Sequence, residues 1–302
     1  MESKERIGFI GLGNMGAPMA RRIAAAGYEL VVTDALPAAV ERFAAESRCE
    51  RAASPQSLAA RCPVIITMLP DGKIVREVLL GANGLVPHLA PGAVVIDMSS
   101  SSPVGTRELA KDLAERGVPL VDAPVSGGVK KAADGTLAIL VGGEAQPVAR
   151  VRALLEVMGK VFPTGASGSG HAMKSLNNFL SAANLAVAAE AVIAGQRFGL
   201  DPATMISILN ASTGRNTGTD SKFPNNVLPR TFNSGFALGL MAKDLRLALE
   251  VAHSSNAPTG LLEACAQIWA QAEKQLGGKA DNTEVVKYLE SLVSAGVPDR
   301  NA

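Results

Sequence analysis

The sequence contains few of the residues that build disulfide-bonded or metal-binding proteins. Three of its 302 residues are cysteine and three are histidine, and Cys49, Cys62 and Cys265 are widely spaced with no CxxC pair. This spacing excludes a disulfide framework and a zinc-type ligand set, and it is typical of thiols in a reducing compartment. We therefore expect a cytoplasmic protein with no metal ion.

Excess charge and long apolar runs are also missing. The 29 basic and 28 acidic residues leave a formal net charge of +1, which indicates no surface for nucleic acid or for an anionic membrane. The charged start has no signal- or transit-peptide pattern, and no apolar stretch approaches the roughly 18 residues that span a bilayer. At 302 residues, 47% of them hydrophobic, the chain is expected to form two globular domains.

What the sequence does contain is a glycine fingerprint between a strand and a helix. The segment Gly11-Leu12-Gly13-Asn14-Met15-Gly16 follows the apolar run Ile7–Ile10 and precedes a helical pattern over 17–26. In such a fingerprint the first glycine permits a tight turn, the second lets the backbone approach a pyrophosphate, and the third lets the helix pack on the strand. The amides that open the helix then face the phosphates. Residues 11–16 are therefore predicted to bind a dinucleotide.

One acidic residue predicts which dinucleotide is bound. Asp34 ends the second apolar run, Leu30–Thr33, at about the distance from the glycines where a βαβ unit places its ribose-binding carboxylate. A carboxylate there accepts hydrogen bonds from the ribose 2′-hydroxyl and repels a 2′-phosphate. No arginine follows in 35–37. The prediction is NAD rather than NADP.

The order of apolar and helical patterns predicts the fold. Strands are expected at 6–10, 29–34, 63–67, 93–97, 118–122, 137–141 and 160–162, and helices after Pro163 at 172–194, 202–211, 241–254, 259–275 and 282–294. Continuous apolar strands suit a parallel sheet covered on both faces. We expect an α/β fold: a doubly wound Rossmann-type NAD-binding domain over 1–164, then an all-helical substrate and oligomerisation domain over 165–302 with a long central helix.

A serine–glycine turn is the first candidate for substrate binding. Ser126, Gly127 and Gly128 closely follow a predicted strand, where ligands gather in open α/β sheets. The hydroxyl and the accessible backbone amides of such a turn suit a carboxylate. The alternative is a solvent-exposed turn without a ligand.

A lysine on the central helix is the candidate catalytic group. Lys174 and Asn178 are spaced i, i+4 and so lie on one helix face. Burial lowers the pKa of a lysine, which is what a general acid or base requires near neutral pH. The alternative is a lysine that extends to solvent from the helix start.

These three segments, in this order, resemble the β-hydroxyacid dehydrogenase family, which includes 3-hydroxyisobutyrate dehydrogenase and tartronate semialdehyde reductase. The resemblance covers nearly the whole chain. It implies that Lys174 exchanges the proton of the substrate hydroxyl, and that Asn178 and the 126–128 turn hold the substrate. It also implies further contacts to the cofactor from Met68, Leu69, Pro70, Ser100, Phe236 and Lys243.

Departures from related families narrow the reaction. Asn177 and Ser181 stand where decarboxylating 6-phosphogluconate dehydrogenases carry a histidine and a glutamate, so oxidation without decarboxylation is expected. Lys174 argues against an imine reductase, which usually lacks this lysine, and against a non-catalytic NAD-binding module. His171 is either a second base or a residue that caps and orients the helix.

The resemblance leaves the substrate open. We expect NAD-dependent oxidation of a small 3-hydroxy acid such as 3-hydroxyisobutyrate; the alternatives are reduction of tartronate semialdehyde (2-hydroxy-3-oxopropionate) and oxidation of a polyhydroxy acid such as glycerate or threonate. The polar segment 212–222 either meets such substrates through Arg215, Asn216 or Lys222, or is a solvated connector. The apolar central helix indicates a homodimer or homotetramer.

Overall fold

The chain forms two compact units. The computed structural model describes residues 5–294, and the units are Met1–Lys174 and Ser175–Ala302. The boundary falls inside one long helix, Ser169–Phe198. Lys174 is therefore the last residue of the first unit.

The first unit alternates strands and helices, as the apolar runs predicted. Its strands are β1 (Ile7–Ile10), β2 (Leu30–Thr33), β3 (Glu50–Arg51), β4 (Val64–Thr67), β5 (Val94–Asp97), β6 (Leu120–Asp122), β7 (Val125–Ser126), β8 (Leu137–Gly142) and β9 (Gly159–Gly165). Its helices are α1 (Gly16–Ala25), α2 (Pro37–Glu46), α3 (Pro55–Ala59), α4 (Gly72–Leu80), α5 (Pro103–Ala114), α6 (Gly128–Asp134) and α7 (Ala145–Glu156), with a 3₁₀ turn at Val86–His88.

The nine strands within residues 5–294 form one sheet in the order β3-β2-β1-β4-β5-β6-β8-β7, with β9 beside β8. The six strands from β3 to β6 are parallel, whereas β8 runs antiparallel to both β6 and β7. This is the strand order of a doubly wound dinucleotide-binding sheet with an added antiparallel edge. The parallel strands all end at one edge, where the glycine turn, Asp34 and the loops that begin at Met68 and Met98 follow them.

Both faces of the sheet are buried, which explains the unbroken apolar runs. Phe9 and Ile66 belong to one core cluster, and Ile10 and Ile65, their neighbours in sequence, belong to another. Successive strand residues point to opposite faces, so the two clusters lie on the two sides of the sheet. The central strands therefore carry apolar residues on both faces.

The sequence-based strands need three corrections. β3 and β7 were not predicted, because a two-residue strand has no periodicity to detect, and both residues of β3 are exposed. β9 is longer than the predicted 160–162. The whole of β9 pairs with β8 from Leu137 to Gly142, a pairing that only the tertiary fold reveals.

The second unit is helical throughout its described part. Its elements are α8 (Ser169–Phe198, which begins in the first unit), α9 (Pro202–Asn210), a π-helical segment (Gly218–Val227), α10 (Leu238–Ser254), α11 (Gly260–Leu276), a 3₁₀ turn (Asn282–Glu284) and α12 (Val285–Ser294). Leu185 and Ala189 of α8 pack into a core with Phe223, Leu245 and Trp269. Trp269 is fully buried there.

Helix α8 corrects the expectation that no apolar stretch is long enough to span a bilayer. By length and composition its 30 residues pass that test, and 39% of the most apolar stretch is buried within the protein. Single asparagine and serine residues divide the sequence into short apolar pieces without lowering the average over a longer window. Ala182, Leu185 and Ala189 are among the buried residues of α8 and belong to the helical core.

Candidate active site

The glycine turn is closed toward the protein and open on its other side. Gly11 has a φ of +103°, and a side chain there would overlap the Met68 carbonyl oxygen. A side chain at Gly16 would overlap the carbonyl oxygen of Gly11. A Cβ at Gly13, in contrast, would meet nothing within 4 Å, and Asn14 is exposed beside it. Room for a ligand therefore lies at the second glycine.

Asp34 lies against this turn. Its Oδ2 accepts a hydrogen bond of 2.6 Å from the Leu12 amide, and its Oδ1 accepts one of 2.8 Å from the Leu36 amide. The carboxylate is only half-buried. It therefore fixes the turn while keeping access to solvent.

The loops after β4 and β5 complete this edge of the sheet. The Met68 amide donates to the Ile10 carbonyl at 2.9 Å, and the Leu69 amide donates to Ser99 Oγ at 2.9 Å. Pro70 is exposed, and Ser100 is half-buried directly after Ser99. Both loops therefore lie at the same edge as the glycine turn.

This edge fits a dinucleotide. The space at Gly13 suits a pyrophosphate, and the first turn of α1 contains no acidic residue to oppose an anion at its amides. Asp34 supplies a carboxylate for ribose hydroxyls at the end of β2. Within residues 5–294, no group of three metal-ligating side chains could hold a metal ion.

The serine–glycine turn has a backbone that depends on its glycines. Ser126 is half-buried at the end of β7, and the next two residues are exposed. Gly127 has a φ of +137° and Gly128 a φ of +71°. Such angles strain residues with a side chain, so the turn geometry explains both glycines.

Lys174 lies near the start of α8 and is 9% exposed. The helix start is capped by Asp122, whose Oδ1 accepts from the Gly168 amide at 2.7 Å and whose Oδ2 accepts from the His171 amide at 3.1 Å. Asp122 ends β6 and opens the segment that leads to Ser126. One buried carboxylate therefore ties the lysine helix to the strand before the serine–glycine turn. The sequence pattern alone did not point to Asp122.

Asn178, one helical turn after Lys174, has a buried acidic partner. It is 6% exposed, and its Nδ2 donates to Oδ2 of Asp244 at 2.5 Å. Asp244, on α10, is 2% exposed. Sequence reasoning missed this partner; an acid on a largely apolar helix, directly after Lys243, was the available signal.

The remaining cofactor candidates lie at the start of α10. The Phe236 carbonyl accepts from the Asn282 amide at 2.8 Å and from its side-chain Nδ2 at 2.9 Å. Lys243 is half-buried in the second turn of α10. The backbone at Phe236 is therefore held in place by Asn282.

The polar segment 212–222 uses its side chains locally. Arg215 donates to Asp220 at 3.1 Å, and Asn216 Oδ1 accepts from the Gly218 amide at 2.8 Å. Lys222 lies in the π-helical segment and donates to Asn282 Oδ1 at 2.9 Å. Burial lowers the pKa of Lys222 to about 8, although the Asp281 carboxylate opposes the shift. Part of the predicted loop is thus regular structure.

Comparison with known proteins matches this arrangement over almost the whole chain. A family profile described as "NAD binding domain of 6-phosphogluconate dehydrogenase" matches residues 6–168, and one described as "NAD-binding of NADP-dependent 3-hydroxyisobutyrate dehydrogenase" matches residues 168–289. The first profile covers the sheet with its glycine turn. The second begins just before α8.

Individual relatives share the full length. The chain is 38% identical to 2-(hydroxymethyl)glutarate dehydrogenase of Eubacterium barkeri, over 98% of this chain and 99% of that protein. It is 40% identical to mouse mitochondrial 3-hydroxyisobutyrate dehydrogenase, over 96% and 88%. The solved structure of Mycobacterium tuberculosis 3-hydroxyisobutyrate dehydrogenase with L-serine has a TM-score of 0.88 at 33% identity, covering 95% of this chain and 99% of that one.

These findings confirm the predicted fold, the predicted NAD cofactor and the general reaction. The relatives differ in the acid that their names give, so the reaction class is shared while the individual substrate is not fixed at 38% identity. The chain belongs to the β-hydroxyacid dehydrogenase family and is an NAD-dependent oxidoreductase that acts on the hydroxyl group of a hydroxy acid.

Proposed function

We propose that the physiological reaction is oxidation of a small 3-hydroxy acid such as 3-hydroxyisobutyrate, with Lys174 as general acid and base. The observation that carries this proposal is the burial of Lys174 beside the capped start of α8. An amine that is shielded from solvent and held on a fixed helix start can exchange a proton directly with a bound hydroxyl. Lys174 is therefore suited to exchange protons with a bound hydroxyl.

The proposed roles follow from this placement. Ser126 and the amides of Gly127 and Gly128 hold the substrate carboxylate, and Asn178 holds the substrate near Lys174. Lys174 removes the hydroxyl proton during oxidation and returns it during reduction. Bound NAD supplies the redox chemistry by accepting a hydride from the carbinol carbon. Fixing the substrate in a reactive geometry provides much of the acceleration.

Two alternatives remain candidates: reduction of tartronate semialdehyde, and oxidation of glycerate or threonate. Arg215 and Lys222, the cations that would favour more polar substrates, donate to Asp220 and Asn282. These internal bonds favour the small monoacid. A substrate with a second carboxylate or several hydroxyls would bind Arg215 or Lys222 only if these side chains left their present partners.

We further propose that residues 1–164 form the NAD-binding domain and 165–302 the substrate and oligomerisation domain. The family profiles meet at residue 168, and β9 ends at Gly165, which supports this division. The proposed NAD contacts are Gly11, Leu12, Gly13, Asn14, Met15, Gly16, Asp34, Met68, Leu69, Pro70, Ser100, Phe236 and Lys243.

The proposed assembly is a homodimer or homotetramer in the cytoplasm. On α8, Met173, Leu180 and Val187 are 42%, 59% and 55% exposed. Their spacing of seven residues places them on one face of the helix. An apolar stripe of this kind supports pairing with a second copy.

A substrate panel tests the function. NADH formation is followed with 3-hydroxyisobutyrate, glycerate, threonate, L-serine and 2-(hydroxymethyl)glutarate, for the wild type and Lys174→Ala. Loss of general acid–base catalysis should lower kcat by roughly 10²–10⁴-fold while NAD affinity is kept. Lys111→Ala, an exposed lysine on α5, is the matched control. Unchanged turnover in Lys174→Ala would refute the role of this lysine.

A further inference from the structure

A buried polar cluster lies at the start of the helix that carries Lys174. Its members are His171, Asp97, Asp122, Ser99 and Thr106, here called the His171 cluster, and none is more than 3% exposed. A buried polar group left without a partner costs about 1–3 kcal/mol. Five such groups at one place would destabilise the fold unless each had a hydrogen-bond partner. The hydrogen bonds within the cluster therefore determine how these residues are arranged.

The imidazole of His171 is held at both ring nitrogens. Nε2 lies 3.0 Å from the Ser99 carbonyl oxygen, which can only accept, so Nε2 carries a hydrogen. Nδ1 lies 2.9 Å from Thr106 Oγ1, on α5. The ring is 0% exposed, with both nitrogens engaged, so it has no free nitrogen to offer a substrate. This geometry argues against His171 as a second base.

Two buried carboxylates flank this ring. Asp97 Oδ2 lies 3.7 Å from Nε2, and Asp122 Oδ2 lies 3.8 Å from Nδ1. Asp97 in turn accepts from Thr67 Oγ1 at 3.0 Å and from Ser101 Oγ at 2.6 Å. Asp97 ends β5 and Asp122 ends β6, so both carboxylates are positioned by the edge of the sheet.

His171 joins the lysine helix to these strand ends through both its backbone and its ring. Its amide is bound by Asp122 and its ring by Ser99, which also holds the Leu69 amide in the loop after β4. Lys174 follows three residues later, on the same side of α8. A shift of His171 would therefore move the base of the lysine side chain relative to the loops at this sheet edge.

We infer that His171 is a positioning residue: the His171 cluster fixes the first turn of α8 and so sets where Lys174 presents its Nζ. The inference rests on the proposed role of Lys174. A misplacement of a catalytic group by about 1 Å can lower the rate about 100-fold. Disturbing the cluster should therefore lower kcat. The His171 ring bonds to Thr106 and to the Ser99 carbonyl rather than to the Ser126–Gly128 turn or the glycine turn, so binding of acid and NAD should change much less than kcat.

The test uses His171→Leu, which removes both ring contacts, and His171→Gln, whose side-chain amide can still donate to the Ser99 carbonyl. We expect His171→Leu to lower kcat by roughly 10- to 100-fold, with the KM values for acid and NAD changed less than threefold. His171→Gln should restore part of the loss. Thr106→Val should lower kcat in the wild type but add little to His171→Leu. His88→Gln, an exposed histidine, should change nothing.

A Lys174→Ala background separates positioning from general damage. Without the lysine there is no amine to place, so His171→Leu should not reduce the residual rate further. An equal fold loss in both backgrounds, or kcat within twofold of wild type for both His171→Leu and Thr106→Val, would overturn the inference. A loss as large as that of Lys174→Ala, with a changed pH profile, would make His171 a base instead. If His171→Leu does not fold, Thr106→Val and His171→Gln decide the matter.

These experiments distinguish a failure of the proposed function from a failure of the positioning role of His171. Wild-type turnover in Lys174→Ala defeats the proposed function. A large loss in Lys174→Ala combined with unchanged kcat in the cluster variants defeats only the positioning role. Binding of NAD, measured by fluorescence titration, and thermal unfolding are recorded for each variant, and a parallel loss of NAD affinity and kcat counts against positioning.

Discussion

Lys222 illustrates how a residue that looks functional in the sequence can be structural. Its amine donates to Asn282 Oδ1, and Asn282 Nδ2 donates to Ser234 Oγ and to the Phe236 carbonyl. Asp281 is the residue before Asn282. Burial alone would raise the pKa of its carboxyl group, but hydrogen bonds from Thr283, Ser234 and Gly235 outweigh burial and lower that pKa. Lys222 therefore ties the π-helical segment to the turn before α12, and Asn282 extends this link to the residues before α10.

The lowered pKa of Lys222 predicts a pH-dependent stability. Its pKa is about 8 in the folded chain, against an ordinary value of 10.5, so the unfolded state binds more protons between these limits. The free energy of unfolding contributed by Lys222 therefore rises with pH across that window. We expect Lys222→Met to be between about 1 and 3 kcal/mol more destabilising at pH 10 than at pH 7. Urea unfolding at both values measures this.

The control for Lys222 is Lys279→Met, an exposed lysine in the same unit. Its effect should be small and the same at both pH values. An equal cost of Lys222→Met at pH 7 and pH 10 would contradict the predicted linkage.

For single residues, the sequence pattern identified candidates whose proposed roles depend on neighbours within one motif. It did not identify residues whose roles depend on a partner far away in the sequence. Asp34 and the glycines stand at fixed spacings in one βαβ unit. Asp244 meets Asn178 across 66 residues, and Asp122 caps a helix start 46 residues away. No spacing rule covers such pairs, because the fold alone brings them together.

At the scale of elements, long apolar strands were predictable and helix ends were not. The core of α8 was expected at 172–194, but the helix begins at Ser169, where Asp122 satisfies its first amides. It also continues past Gly195, a residue that weakens helices on its own. A side chain at Gly195 would displace the end of the Met205 side chain, so this glycine lets α9 pack closely on α8. Both ends depend on tertiary contacts.

Replacing glycine by alanine should have opposite consequences at two positions of the glycine turn. Gly13→Ala places a methyl group in open space, so folding should be kept, while the pyrophosphate position is narrowed and the Kd for NAD rises about tenfold or more. Gly16→Ala collides with the Gly11 carbonyl oxygen and should destabilise the unit by about 1–3 kcal/mol. Thermal unfolding and NAD titration measure the two effects.

Gly260→Ala is the control for this pair, because it is equally open but opens α11 in the helical unit. It should change neither stability nor NAD affinity appreciably. If Gly13→Ala left the NAD affinity at its wild-type value, the space at the second glycine would not be the pyrophosphate position.

At the scale of the whole molecule, the two units bury apolar surface in different ways. The sheet uses two cores, one on each face, and the helical unit uses one core around α8. α8 nevertheless leaves Leu180 and Val187 more than half exposed. Large side chains exposed at regular spacing on a central helix are typical of an interface.

The exposed stripe on α8 yields the last prediction. Leu180→Glu combined with Val187→Glu places two charges on the face proposed to pair with a second copy, where an unpaired buried charge is strongly unfavourable. We expect the wild type to have a solution mass of a multiple of 31.1 kDa and the variant to shift toward 31.1 kDa, as measured by light scattering after size exclusion. Leu261→Glu, on α11 and 85% exposed, is the control and should keep the wild-type mass. A multimer that persists in the stripe variant but dissociates in the Leu261 variant would move the interface to α11.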